Sequence, residues 1–127
     1  LVRFVSERTD PAAPLGPVVA GDLNAEPDST AVRYLAGLAS LDGASTYLQD
    51  AWRLAGDGGP GLTWSNRNPH ADHDQEPDRR LDYVFSGFHG PTGAGRPVEC
   101  RVVADEPADG GWPSDHFGVL AVLQRRA

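Results

Sequence analysis

Three short apolar runs, each starting or ending in a compact acidic-polar cluster, constrain this chain more than any other feature. They contain Gly21-Asp22-Leu23-Asn24, Arg80-Leu81-Asp82-Tyr83 and Ser114-Asp115-His116. The flanking residues, such as Val18-Val19-Ala20 and Val84-Phe85, suit short buried strands. A carboxylate carried into such surroundings needs a partner, because its desolvation is otherwise uncompensated. Three carboxylates, one amide and one imidazole are therefore expected to gather, although nearly the whole chain separates them.

The segments between these runs alternate in type. Leu1, Val2, Phe4 and Val5 share one helical face, and Asp10-Pro11-Ala12-Ala13-Pro14 ends that helix. Pro27-Asp28-Ser29 marks a second helix start with Asp28 or Ser29 as the cap, and Val32, Leu35, Leu38 and Leu41 extend an apolar stripe to residue 41. Residues 46–54 predict a third helix and residues 62–64 a strand, while residues 65–78 form a long polar loop. Further strands are expected over 80–85, 98–104 and 117–123. Helical and extended segments arranged around a sheet predict an α/β architecture in one domain.

Composition narrows the function. With 127 residues, 39% of them hydrophobic, the chain can bury a core, and no apolar run approaches the roughly 20 residues of a membrane-spanning helix. A formal net charge of −7 argues against a sequence-independent nucleic-acid binder, which carries a basic face. It favours a small or lipid-linked phosphate. All 11 basic residues are Arg, which removes Schiff-base chemistry by Lys and supplies forked donors suited to phosphate oxygens. Cys100 lies among valines and reads as a small apolar filler without a disulfide partner. Met is absent throughout, so a piece of a longer protein is expected.

Strand alternation puts Asp22 and Asn24 on one face, where Asp22 can orient a water and Asn24 can donate to a phosphoryl oxygen. The same residues also favour a plain turn. Asp82 has Arg80 as its natural local partner; the alternative is a hydrogen bond from a histidine ring, fixing the tautomer as in a hydrolase triad. Histidine is the side chain whose unperturbed pKa lies near neutrality, so His116 suits proton transfer, while Asp115, on the opposite face, can ligate Mg²⁺ or Mn²⁺. This inventory suits metal-assisted cleavage of a phosphate ester.

In this order, Gly-Asp-x-Asn, Arg-Leu-Asp-Tyr and Ser-Asp-His resemble the second half of the endonuclease/exonuclease/phosphatase superfamily, which includes DNase I, inositol polyphosphate 5-phosphatases and neutral sphingomyelinases. Asp50-Ala51-Trp52-Arg53 and Leu62-Thr63-Trp64 resemble its intervening segments. The resemblance implies the C-terminal half of a DNase I-like four-layer α/β sandwich, with one mixed, mainly antiparallel sheet and helices on one face. It implies a Mg²⁺- or Mn²⁺-dependent phosphodiesterase, nearest to bacterial sphingomyelinase-like members. Asp22, Asn24, Asp82 and His116 would be catalytic, Asp22 and Asp115 would bind the metal, and Asn24 would hold the scissile phosphate. The family's first half normally supplies the principal metal-ligating Glu. That half has no match here, so weak metal binding, little activity alone and self-association through an uncovered sheet face are expected.

Three further candidates remain. Arg67, Arg79 and Arg80 flank the polar loop and could contact phosphate. Trp112, between Gly110-Gly111 and Pro113, could touch substrate or a lipid surface. His70, Asp72, His73 and Asp74 could together bind a transition metal.

Overall fold

The computed structural model describes residues 1–71 and 76–125. Its elements run α1 (Val2–Arg8), β1 (Val18–Asp22), α2 (Thr30–Leu35), β2 (Leu48–Asp50), α3 (Ala51–Ala55), β3 (Asp82–Gly87), β4 (Pro97–Val103) and β5 (Gly118–Leu123). The strands divide between two antiparallel sheets, β1-β3-β2 and β4-β5, where the sequence reading expected one. The mixed α/β architecture with antiparallel sheets is the one the sequence implies for a DNase I-like fragment.

Strand β3 organises the first sheet because it pairs on both sides, with β1 from Val18↔Ser86 to Asp22↔Asp82 and with β2 from Leu48↔Gly87 to Asp50↔Phe85. Its alternation separates two faces. Tyr83 and Phe85 point towards the core, where they stack 5.5 Å apart and meet Val32, Leu35 and Leu48. Val2 of α1 and Val19 of β1 pack against this cluster, so the first two helices cover that face. The other face carries Asp82, Val84 and Ser86 beside Asp22, Ala20 and Val18, and Val18 remains 51% exposed.

Local chemistry explains where the helices differ from expectation. Ser29 caps α2 by accepting from the Val32 N–H at 3.3 Å. The helix stops at Leu35 although the apolar stripe continues, because Gly37 takes a left-handed φ of +73° and ends it. A Cβ on Gly37 would meet the Tyr47 ring at 2.8 Å, so the close approach of the two segments also requires glycine. The helix expected over 46–54 splits into β2 and α3, since Asp50 accepts from Trp52 N–H at 3.0 Å and starts a new helix there.

Arg80 corrects a second expectation. It is neither the partner of Asp82 nor available to substrate. Its guanidinium donates to both oxygens of Asp50 at 3.0 and 2.7 Å, and the two residues are 5% and 4% exposed. The same guanidinium lies 4.7 Å over the Tyr83 ring, on the core side of the sheet. Residues 80 and 81 precede β3, so strand alternation does not link Arg80 to Asp82.

Removing one member of such a pair leaves a buried charge without compensation and costs about 3–5 kcal/mol. Asp50→Asn or Arg80→Gln should each lower the unfolding free energy by that amount, read as a lower urea midpoint at unchanged m-value. A double replacement by apolar residues should cost much less than the sum, measured by the same melts.

Tyr83 generates a pH prediction. Its hydroxyl donates between the carbonyls of Ala25 and Arg80, at 2.6 and 3.0 Å. Burial pushes the phenol well above its usual range, against the opposing pull of Arg80. The fold therefore favours the protonated phenol; its contribution is complete below about pH 10 and is lost as pH rises beyond that value. Alkaline unfolding followed by circular dichroism should be steeper in the parent than in Tyr83→Phe.

Candidate active site

Asp22 and Asp82 occupy directly opposed positions of the β1–β3 ladder, and opposed residues of an antiparallel pair project from the same face. His116 lies two residues before β5 and turns its ring towards them. Its Nδ1 lies 2.7 Å from Oδ2 of Asp82. An ionised carboxylate only accepts, so Nδ1 carries the proton and Nε2 presents a lone pair. Ligand atoms of Asp22, Asp82 and His116 all lie within 4.8 Å of one another. The dyad is about one-fifth exposed, at 23% and 20% for the two side chains, so solvent and substrate can reach it.

Two local devices orient these groups. Oδ1 of Asp22 accepts from the N–H of Asn24 at 2.7 Å, closing a turn in which Asn24 adopts a φ of +44°. This turn replaces the extended geometry the sequence reading gave Asn24. Both residues are exposed; Asp22 is the last residue of β1, and Asn24 follows it through the turn rather than by alternation. At the other cluster, the Ser114 hydroxyl accepts the His116 N–H at 3.1 Å and so curls the backbone before β5. The edge of Trp64 meets the imidazole with centroids 5.0 Å apart and planes at 69°, bracing the ring opposite its polar partner.

Asp115 stands apart from this group. It is exposed, its Oδ1 lies 3.1 Å from the Ser114 hydroxyl, and its neighbour in sequence takes the site instead. Slight desolvation pushes its carboxyl up. The Ser114 hydroxyl, nearby backbone N–H groups and the adjacent His116 outweigh that and hold it below the usual range. Trp112 stacks on Phe117 at 5.7 Å rather than on His116. Arg67 pairs loosely with Asp105 and Glu106 at 3.9 Å, and Arg79 pairs with Glu76. Of the loop cluster read as a transition-metal candidate, Asp72, His73 and Asp74 lie outside the described residues.

Two oxygen-bearing side chains facing one another suit a hard divalent cation, which takes carboxylate ligands. The carboxylates of Asp22 and Asp82 are the hard oxygen donors in the group that also includes His116. The group the structure brings together holds Asp22, Asp82 and His116, and Asp115 lies outside it.

The sequence reading missed Asn68. It is fully buried inside the polar loop and donates from Nδ2 to the carbonyls of Ser114 and Asp115, at 2.7 and 3.1 Å. Its Oδ1 accepts from His70 N–H at 3.0 Å, which settles the amide orientation. An Asn among many polar loop residues has no sequence signature that distinguishes this role. Asn68→Ala should destabilise by about 1–3 kcal/mol in urea melts, since two carbonyls lose their donor. Asn68→Asp should cost more than Asn68→Ala, because it points a carboxylate at those carbonyls.

No curated protein and no solved structure matches this chain. A family model does, that of the Endonuclease/Exonuclease/phosphatase family, over residues 2–116. Its members are in general metal-dependent nucleases and phosphatases, a chemistry that the carboxylate pair and the carboxylate–imidazole contact can serve. With all but the ends of its length matched, and the three clusters inside the matched span, the chain belongs to the endonuclease/exonuclease/phosphatase family.

Proposed function

We propose that this chain carries the proton-transfer and metal-binding groups of a phosphodiesterase acting on a small or lipid-linked phosphoester. The observation that carries this reading is the 2.7 Å contact between His116 Nδ1 and Asp82, with Asp22 inside the same 4.8 Å cluster. Asp22 orients a water, and neutral His116 accepts its proton at Nε2 while Asp82 stabilises the resulting imidazolium. The water oxygen bonds to phosphorus, the ester P–O bond breaks, and the imidazolium returns the proton to the departing alkoxide. Asn24 holds a phosphoryl oxygen beside Asp22. A divalent ion between Asp22 and Asp82, Mg²⁺ or Mn²⁺, would supply charge neutralisation at the phosphoryl group.

The net charge of −7 favours a small or headgroup phosphate over a long duplex, and a sphingomyelinase-like substrate is the branch favoured here. The exposed Val18 and Ala20, on the same sheet face as the carboxylates, support pairing with the family's first half, which would also complete the metal shell.

The test is turnover of bis(p-nitrophenyl) phosphate with and without Mg²⁺, on the chain alone and on a longer form bearing that half. His116→Ala and Asp22→Asn should each lower metal-dependent turnover by about 10²–10⁴-fold. Full activity in both variants refutes the assignment. Sphingomyelin and inositol phosphates should be cleaved in preference to plasmid DNA; the reverse order favours a nuclease.

A further inference from the structure

Asp82 opens β3 and His116 lies two residues before β5, and those strands belong to different sheets. No shared ladder between those strands sets the distance from Asp82 to His116. Thr63 supplies the tie. It is fully buried, and its Oγ1 accepts the N–H groups of Leu81 and Asp82 at 3.0 and 3.1 Å. Its carbonyl accepts the N–H of Phe117 at 2.7 Å, and its own N–H donates to Arg79 at 2.9 Å.

We propose that Thr63 is a positioning residue whose hydroxyl and carbonyl hold Asp82 and His116 in register across the two sheets. The importance of that register for turnover rests on the catalytic reading of the dyad given above. One hydroxyl offers two acceptor sites, and both are occupied by consecutive amides at the start of β3. The β-branched side chain has a stiff χ1, so those amides follow the Thr63 backbone closely. That backbone in turn holds Phe117, the residue after His116. Trp64 extends the tie, with its own N–H on the Arg79 carbonyl and its ring edge against the imidazole. A shift of Thr63 thus moves both reacting side chains, and a misplacement of about 1 Å at such a site costs about 10²-fold in rate.

Serine in place of Thr63 keeps the acceptor. Valine keeps the shape but leaves two buried N–H groups unmet, and alanine leaves room for a water to meet them. NMR of the chain with ¹⁵N-labelled histidine reads the hydrogen-bonded Nδ1–H of His116 directly. Thr63→Ser should retain that resonance, whereas Thr63→Val and Thr63→Ala, shown folded by circular dichroism, should lose it. In the turnover assay, kcat should fall about 100-fold in Thr63→Val with KM unchanged, the pattern of lost transition-state geometry. Retention of the resonance in folded Thr63→Val, or its loss in Thr63→Ser, overturns the proposal.

If neither hydroxyl-free variant folds, amide exchange in the parent decides. Jointly slow exchange at Leu81, Asp82 and Phe117 supports the tie, and exchange as fast as in exposed loops refutes it. Failure of the catalytic reading looks different: His116→Ala then retains full turnover, whatever the Thr63 variants do to the ring proton.

Discussion

The opposition of Asp22 and Asp82 across the β1–β3 ladder is the constraint on which the site depends. Two like charges no more than 4.8 Å apart repel by at least about 1 kcal/mol in water and about 3 kcal/mol at the effective dielectric of a protein surface. Opposed carboxylates on one sheet face are therefore unfavourable alone and persist through what lies on the other face. Val19, Tyr83 and Phe85 bury their side chains there against Val32, Leu35 and Leu48. A slip of one residue would turn those groups outwards and send one carboxylate into the core. Hydrophobic packing thus holds two acids together that would otherwise separate.

The same strand separates two uses of charge. On the core side, Asp50 and Arg80 neutralise one another, cap α3 and stack on Tyr83, and both are nearly sealed from water. On the open side, Asp82 and His116 share one hydrogen bond and keep contact with solvent. A closed pair resists change, since both terminal guanidinium nitrogens are directed at the two oxygens of Asp50. A half-open pair can pass a proton and return to its starting state, as general acid–base chemistry requires.

Much of this was legible in the residues, for reasons that differ from place to place. The Val-rich runs around Gly21 and Cys100 and the Ser29 cap identify β1, β4 and α2, because period and capping are local signals. The Asp82–His116 contact was open as one of two alternatives, since a buried Asp announces the need for a partner but not its identity. Arg80 lies before β3, beyond the reach of strand alternation, and Asp50, thirty positions away, claims it. At Asn24 the sequence leaves strand and turn both open, because a turn stabilised by Asp22 competes with strand geometry for the same residue types. Thr63 and Asn68 are invisible as tethers, because their partners are main-chain groups, which every sequence supplies equally.

Electrostatics sets a condition on any phosphoester that reaches this cluster. The chain is acidic, and the basic side chains bordering the loop between Trp64 and Arg80 are committed. Arg67 lies near Asp105 and Glu106, Arg79 is paired with Glu76, and Arg80 is closed onto Asp50. A phosphate approaching Asp22 and Asp82 therefore meets two carboxylates without a dedicated guanidinium among these three to offset them. The attraction has to come from a cation held by those carboxylates, from the imidazolium form of His116, or from another part of the protein. The first source places positive charge where negative charge accumulates as the ester bond breaks. Binding of the anion and stabilisation of the transition state would then depend on the same ion, and weakening either carboxylate would impair both together.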